Sequence, residues 1–459
     1  MRIIITGAGI SGLSTYLFLR KHLPPSLSYT IHIYESHRPR PSTTTNSQPH
    51  SFETLSASTA LVGGGLGVSP NGMRTLYALS PSLHTAVSAQ GFPCEKFLFL
   101  GENGWTLGVQ RTGDNGGYDG PNGREEVCVS SSRHGLWQCL MEAVGEGVVR
   151  YRKVVGVDVK GSVKIVRFED GGEEECDLLV GADGVRSVVR GCLFGGEYGP
   201  RYTGASGIGG FINMDLPERV AEHKAMVFTF GGSGFFGYAS GGPAEAKNVM
   251  WWSTFDTDAL PSREDLDPDA IKVEMQKRHA NSADPAVRDI MAKAEVESIY
   301  PTWVLPDLPH WGENGIVLVG DAAHALSPTT GQGASQALED AQTLSLLLAE
   351  TLKRAHDSGA EGMSTAEKEK EAVALSIKLL YEIRAPRIKA IAERGRKMDG
   401  GKRKMSKIEE YGMYCFLWLM MHVAILRKLA LGDVNAQLYG WSAKAEVEKA
   451  LKGVESLPS

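Results

Sequence analysis

The chain has 459 residues, 42 % hydrophobic and 22 % charged, with a formal net charge of −6. That length exceeds one compact core and suits two packed domains or one large composite domain. The acidic balance excludes the basic footprint that nucleic-acid binding needs. Six cysteines with no CxxC pair among them predict reduced thiols in a cytoplasmic protein.

Arg2–Thr6 (RIIIT) is a short apolar run, as a buried parallel strand requires. Glycines follow, then Leu13, Leu17, Leu19 and Leu23 mark a helix that Pro24 and Pro25 stop. Thr30–Tyr34 (TIHIY) completes a βαβ opening. Because the first strand begins at Arg2, no signal peptide is expected ahead of the fold. Residues 37–58 are rich in Ser, Thr and Pro and read as a surface loop. A helix is predicted from Ser69-Pro70, with Ser69 as N-cap and Pro70 in the first turn. Another is predicted over Arg133–Val144. Strands fill 149–169, a hairpin turns at Asp170-Gly171-Gly172, and Cys176–Ala182 is again an apolar strand.

From about 200 to 300 glycines mix with aromatics, which predicts an antiparallel sheet with large side chains on one face. Gly315–Gly320 (GIVLVG) reads as a third nucleotide-fold strand, and long helices follow at about 331–356, 364–397 and 406–430. The apolar run Met413–Leu426 has 14 residues, short of the roughly 20 that a spanning helix needs. For 413–431 a buried or dimer-interface helix is the first reading and peripheral membrane contact the second.

Three segments carry chemistry. Gly7-Ala8-Gly9-Ile10-Ser11-Gly12 follows a strand and opens a helix. Gly7 permits the tight turn, Gly9 the approach of a pyrophosphate, and Gly12 close helix–strand packing. The helix N-terminus then offers free N–H groups to the phosphates. Glu35 ends the second strand 23 residues past Gly12, near the roughly 20 expected of a ribose-binding carboxylate. In the second segment Asp183 follows the apolar run to Ala182. In the third Asp321 follows Gly320, and Pro328-Thr-Thr-Gly331-Gln332-Gly333-Ala334 leads into a helix. A carboxylate at a strand end can accept from ligand hydroxyls, although a lone Asp there is more often a helix cap.

In order and spacing these segments resemble the flavoprotein aromatic hydroxylases, the single-component FAD monooxygenases of the p-hydroxybenzoate hydroxylase type. Gly63–Asn71 (GGGLGVSPN), with Gly65, and Ser132–Leu136 (SRHGL), with Arg133, resemble further stretches of that family. Tyr381–Arg387 (YEIRAPR) and Leu438–Trp441 (LYGW) are similar to its fungal members. The resemblance implies an α/β fold: a Rossmann-like FAD-binding domain interleaved with a mixed or antiparallel substrate sheet, plus C-terminal helices. Expected divisions are 1–195 and 306–365 for the FAD-binding domain, 196–305 for the substrate sheet and 366–459 for the helices.

By resemblance, Gly7, Gly9 and Gly12 hold the pyrophosphate of a non-covalent FAD and Glu35 its ribose. Arg133 contacts the cofactor, Asp183 belongs to the second fingerprint, and Asp321 binds the ribityl chain. Gly331, Gln332, Gly333 and Ala334 lie by the flavin ring, with Pro328 beside it. The implied cycle uses NAD(P)H and O2, passes through a flavin C4a-hydroperoxide and hydroxylates a small hydrophobic substrate, aromatic or polyketide/terpenoid-like, in secondary metabolism. An Arg that some phenol hydroxylases of the family carry is replaced near Gly209, after Tyr202-Thr203-Gly204, which counts against acidic phenols by that route. Tyr238 and His223 are candidate bases, and Phe236, Tyr238 and Trp252 candidate pocket residues. Strand alternation allows only one of Phe235 and Phe236, and one of Trp251 and Trp252, to face a pocket. His324 reads as structural, and no metal site is expected. The alternatives are an epoxidase acting on an electron-rich alkene, a flavin halogenase, whose Trp-x-Trp-x-Ile-Pro signature is absent, and a flavin binder without chemistry.

Overall fold

A computed structural model describes residues 1–38, 64–113, 125–161, 163–232, 234–256, 267–295, 299–357, 364–399, 405–423, 426 and 434–455. Apart from residues 37 and 38, the expected loop 37–58 lies outside them.

The strand Arg2–Thr6 lies inside a six-stranded sheet ordered 312–313, 316–318, 178–181, 2–6, 30–35, 149–151. It runs parallel to both neighbours, with Ile4 opposite Leu179 and His32. Ile3, Ile4, Ile5, Leu178, Leu179, Val180 and Val317 are all buried, which explains why these strands read as unbroken apolar runs. The expected strand Cys176–Ala182 is instead two, Glu173–Cys176 and Leu178–Gly181. Between them the Asp177 carboxylate turns to accept from the Arg2 backbone N–H at 2.6 Å.

Helix Ile10–His22 ends ahead of Pro24, and helix Arg133–Val144 falls where the sequence placed it. Helix Pro70–Leu79 also starts as expected, but the Ser69 side chain makes no cap. Its hydroxyl faces the 331–332 turn instead, donating to the Gly331 carbonyl at 3.4 Å and accepting from Gln332 Nε2 at 3.0 Å.

The second large sheet has seven strands ordered 299–304, 201–213, 248–256, 234–240, 225–231, 96–101, 106–111. It is antiparallel except where 225–231 runs parallel to 96–101. Because 96–111 joins 201–304 in one sheet, the chain passes between the two sheet systems more than once. On its far side the sheet packs against helices Pro268–His279 and Pro285–Lys293.

Helices Gly333–Asp357, Thr365–Asp399 and Lys407–His422 form the C-terminal part. The third ends at His422, where Val423 takes an extended conformation; in the expected stretch to 430, residues 424, 425 and 427–430 lie outside the described residues. It is not a buried helix. Ile408, Tyr411, Phe416, Trp418 and Leu419 are exposed, while the Tyr414 hydroxyl anchors the helix to the sheet by donating to the Phe230 carbonyl at 2.7 Å. No helix among the described residues is long and apolar enough to cross a membrane.

One buried ion cluster joins the parts. Arg384 donates to Glu339 Oε2 at 2.6 Å and to Asp340 Oδ1 at 2.8 Å, and Arg387 grips both oxygens of Glu339 at 2.8 Å. Both guanidiniums stack on the Trp441 ring. Removing one member of a buried pair costs about 3–5 kcal/mol, because a partner charge stays behind unpaired. We therefore expect Arg384→Met to lose about that much in urea unfolding; a loss under about 1 kcal/mol would mean that water reaches the cluster.

Burial raises the Asp340 carboxyl, but His324 and Arg384 outweigh it and hold it at about 2. A depressed folded pKa contributes stability above the unfolded value of about 3.9 and loses it as pH falls below that value toward 2. Relative to Asp340→Asn, the native chain should lose about 2 kcal/mol of unfolding free energy between pH 5 and pH 2. Parallel curves for the two proteins would remove Asp340 from the acid transition.

Candidate active site

The glycine loop does what its spacing demands. Gly7 has φ +97°, and a Cβ there would strike the Ala182 carbonyl. A Cβ on Gly12 would strike the Gly7 carbonyl, so helix and loop pack at a distance only glycine allows. Gly9 is the N-cap in extended conformation, and no side chain caps the first turn, leaving its N–H groups for an anion. Three bonds hold the loop: Gly7 N–H to the Tyr34 carbonyl (2.7 Å), Ala8 N–H to Glu35 Oε2 (2.8 Å), and Trp137 Nε1 to the Ala8 carbonyl (2.9 Å). Glu35 thus braces the loop while lining the cleft. Its other oxygen accepts from the His37 backbone at 3.0 Å.

Asp183 acts first as a cap. Its Oδ2 accepts from the N–H groups of Val188 and Val189 at 2.7 and 3.2 Å, whereas its buried Oδ1 has no partner. Burial raises its pKa, against the hydrogen bonds from Ser187 and the backbone. Asp321 opens the short helix Asp321–His324 on the cleft wall. Among the described residues no donor reaches its carboxylate.

The loop before Asp321 is fixed from behind. Asp340 Oδ2 accepts from Gly320 N–H at 2.9 Å and meets His324 Nε2 at 2.5 Å, which accounts for His324 as a structural residue. Gly331 adopts φ +59°, and a Cβ at Gly331 or Gly333 would meet nothing within 4 Å, so open space lies at the start of helix Gly333–Asp357. Gln332 turns inward: its Oε1 accepts from Asn71 Nδ2 at 3.2 Å and from Gln336 Nε2 at 3.0 Å. Its side chain therefore serves the frame, while Gly331, Gly333 and Ala334 border the cleft.

Gly7, Gly9, Glu35, Asp183, Asp321 and Gly331–Ala334 line one continuous cleft of ≈ 3040 Å³. That is several times the roughly 300–1,000 Å³ of an ordinary small-molecule site, room for a dinucleotide and a second molecule together. Gly65, Arg133, Asp183, Asp321, Pro328 and Trp252 border it with the glycine loop. The uncapped helix N-terminus, the orphaned Asp183 oxygen, the unengaged Asp321 carboxylate and the open glycines fit a flavin dinucleotide.

The opposite wall corrects several expectations. Register puts Phe228, Gly237 and Trp252 on one face of the antiparallel sheet, with Phe97, Phe99 and Phe235 beside them toward the cleft. Phe236 and Tyr238 share the other face with Trp251, on which Phe236 stacks. Phe236 is thus not a pocket residue. Nor is Tyr238, whose buried hydroxyl donates to Asp284 at 2.8 Å; burial and the Asp284 charge push its pKa well up. His223 is exposed on a turn away from the cleft. Neither is placed to act as a base. Alternation held for Phe235 and Phe236, whereas Trp251 borders the cleft as well as Trp252. Gly237 carried the missing signal: a Cβ there would overlap the Trp252 ring, so the face with glycine is the one that seats that tryptophan. The sequence reading also missed Met413, Met420, Arg394 and Tyr439, which reach the cleft from the C-terminal helices.

A family described as FAD binding domain matches residues 145–377, which contain Asp183, Asp321 and Gly331–Ala334. The chain belongs to this family: it is a flavoprotein oxidoreductase of the FAD-dependent monooxygenase class, with FAD as its cofactor. It is 27 % identical over 368 residues to a salicylate hydroxylase of Pseudomonas putida, covering 76 % of this chain and 77 % of that one. It is 33 % identical over 234 residues to the chloroplastic zeaxanthin epoxidase of Nicotiana plumbaginifolia, covering 50 % of this chain and 33 % of that one. Its fold is similar to that of Klebsiella pneumoniae HpxO crystallised with FAD and uric acid, at TM-score 0.66 and 17 % identity over 100 % of this chain and 97 % of that one. The family match begins at Gly145, so the glycine loop and Glu35 stand on their geometry.

A charge-assisted hydrogen bond contributes about 1.5–3 kcal/mol. Asp321→Ala should therefore weaken FAD binding roughly 10- to 150-fold, read by the quenching of FAD fluorescence on titration into apoprotein. An unchanged Kd would take Asp321 out of the site.

Proposed function

We propose that the protein is an NAD(P)H- and O2-dependent hydroxylase of a small hydrophobic molecule, aromatic or polyketide/terpenoid-like. The carrying observation is the cleft itself, which joins a dinucleotide-shaped wall to a wall of Phe97, Phe99, Phe228, Phe235 and Trp252. The glycine loop and the first-turn N–H groups of helix Ile10–His22 are assigned to the pyrophosphate. Glu35 is assigned to the adenosine ribose, Arg133 to a direct contact with the cofactor and Asp321 to the ribityl hydroxyls. The open backbone at Gly331–Ala334 is assigned to the ring, with Pro328 at its edge. The chemistry that FAD supplies when bound is two-electron redox chemistry and activation of O2. The chain supplies orientation and exclusion of water: the aromatic wall grips an apolar substrate, and Met413 and Met420 border the cleft from the helix side. A place in secondary metabolism rests on the resemblance of Tyr381–Arg387 and Leu438–Trp441 to fungal members of the family.

The likeness to zeaxanthin epoxidase favours a second reading, epoxidation of an electron-rich alkene on the same site. The product distinguishes the two.

Anaerobic addition of NADPH or NADH to the yellow holoprotein should bleach the flavin bands, and air should restore them. Repeating the experiment with phenols and with alkenes present tests which class accelerates reduction and becomes oxygenated. A protein that binds FAD but is never reduced by either nucleotide, with any of these compounds, is a flavin binder and not a monooxygenase of this type.

A further inference from the structure

The proposed reaction leaves the polar anchoring of its substrate unassigned, since Tyr238 and His223 lie outside the cleft. The C-terminal segment fills that gap. Tyr439 ends helix Val434–Tyr439, is 4 % exposed, and borders the cleft with Asn435 and Leu438. Its position is imposed by the buried ion cluster. Arg387, while gripping Glu339, also donates to the carbonyls of Gln437 (2.9 Å) and Leu438 (2.7 Å), the two residues before Tyr439. Trp441, two residues after it, lies against Arg384 and Arg387.

Cys128 and Arg394 border the same cleft as Tyr439. Cys128 lies beside the strand Gly65–Val68: a Cβ on Gly67 would come within 3.0 Å of its Sγ and 3.5 Å of Met226 Cε. Arg394 is half-buried on the cleft wall and donates to Gln437 Oε1 at 3.1 Å. The next residue, Gly395, abuts Thr330 in the turn Pro328–Thr330. Tyr439, Cys128 and Arg394 thus border one cleft together with the turn Pro328–Thr330 and the aromatic sheet. Among the described residues no hydrogen-bond partner takes up the Tyr439 hydroxyl. Burial, first, and Cys128 raise its pKa against the opposing Arg394 charge, so it is a protonated donor at neutral pH.

We propose that Tyr439 donates its hydroxyl hydrogen to an oxygen of the substrate, with the Arg394 guanidinium favouring that oxygen in its ionised form. The substrate class is then a phenol or enol, held through its oxygen against the aromatic wall. This deepens the hydroxylase reading and rests on it.

Calorimetric titration of the FAD-loaded protein with 2-naphthol and with naphthalene provides the test. The first ligand carries the oxygen and the second does not, and neither needs to turn over. The native protein should bind 2-naphthol more tightly than naphthalene. Tyr439→Phe should weaken 2-naphthol roughly 5- to 30-fold and leave naphthalene unchanged. Arg394→Met should act in the same direction, and Arg394→Lys should recover part of the loss. Retention of FAD and an unaltered thermal transition identify variants that still fold. Equal loss of both ligands would make Tyr439 a packing residue and overturn the proposal, as would no loss of either, or a native protein with no preference for 2-naphthol. Flavin reduction by NAD(P)H, measured on the same preparations, is independent of these results, so failure here leaves the monooxygenase reading standing.

Discussion

The pairing of Glu339 and Asp340 with Arg384 and Arg387 is the constraint on which the rest of the site depends. Two consecutive residues on a helix point about 100° apart, so one helix addresses two directions. Asp340 faces the Gly320 amide and His324, and so fixes the loop that presents Asp321. Glu339 faces Asn71 and the two arginines, and so fixes the start of helix Pro70–Leu79 and the carbonyls of Gln437 and Leu438. With both carboxylates and Arg384 wholly buried, each member needs its partners, because an unpaired interior charge costs several kcal/mol. The cofactor wall and the C-terminal wall are thereby locked to one frame.

The second organising element is a sheet with two unlike faces. Toward helices Pro268–His279 and Pro285–Lys293 it carries Phe236, Tyr238 and Trp251, closed by the Tyr238–Asp284–Arg219 hydrogen bonds. Toward the cleft it carries Phe228, Phe235 and Trp252, with Gly237 making room for the indole. With the rear face packed against these helices, the front face stays apolar and open toward the cleft. The hard chemistry belongs to the flavin, so this division suits a protein whose tasks are to hold one large cofactor still and to shape the space beside it.

Roles divide along the chain accordingly. The segments from the glycine loop to Ala334 build a wall shaped for the dinucleotide, much of it backbone. The opposite wall draws on the sheet and on helices after Thr365. Helix Lys407–His422 has two unlike sides: Met413 and Met420 border the cleft, while Trp418 and Leu419 are exposed.

By itself the sequence determined whatever depends on neighbours along the chain. The βαβ opening, the glycine loop, helix Arg133–Val144 and the hairpin at Asp170–Gly172 were legible because apolar period, turn residues and the spacing from Gly12 to Glu35 are local properties. The family resemblance placed Asp183 and Asp321 on the cleft, although the capping role of Asp183 is visible only from its bonds. Tertiary structure decided the rest. Alternation established that Phe235 and Phe236 oppose each other but not which one faces the cleft, since that depends on which face the helices cover. The end of the C-terminal helix at His422, its exposed side, and the entry of Tyr439 into the site depend on partners far away in sequence. Arg384 and Asp340 stand 44 residues apart, and no periodicity in either helix announces that they meet. Their pairing is a matter of burial and Coulomb attraction, which exist only once the chain has folded.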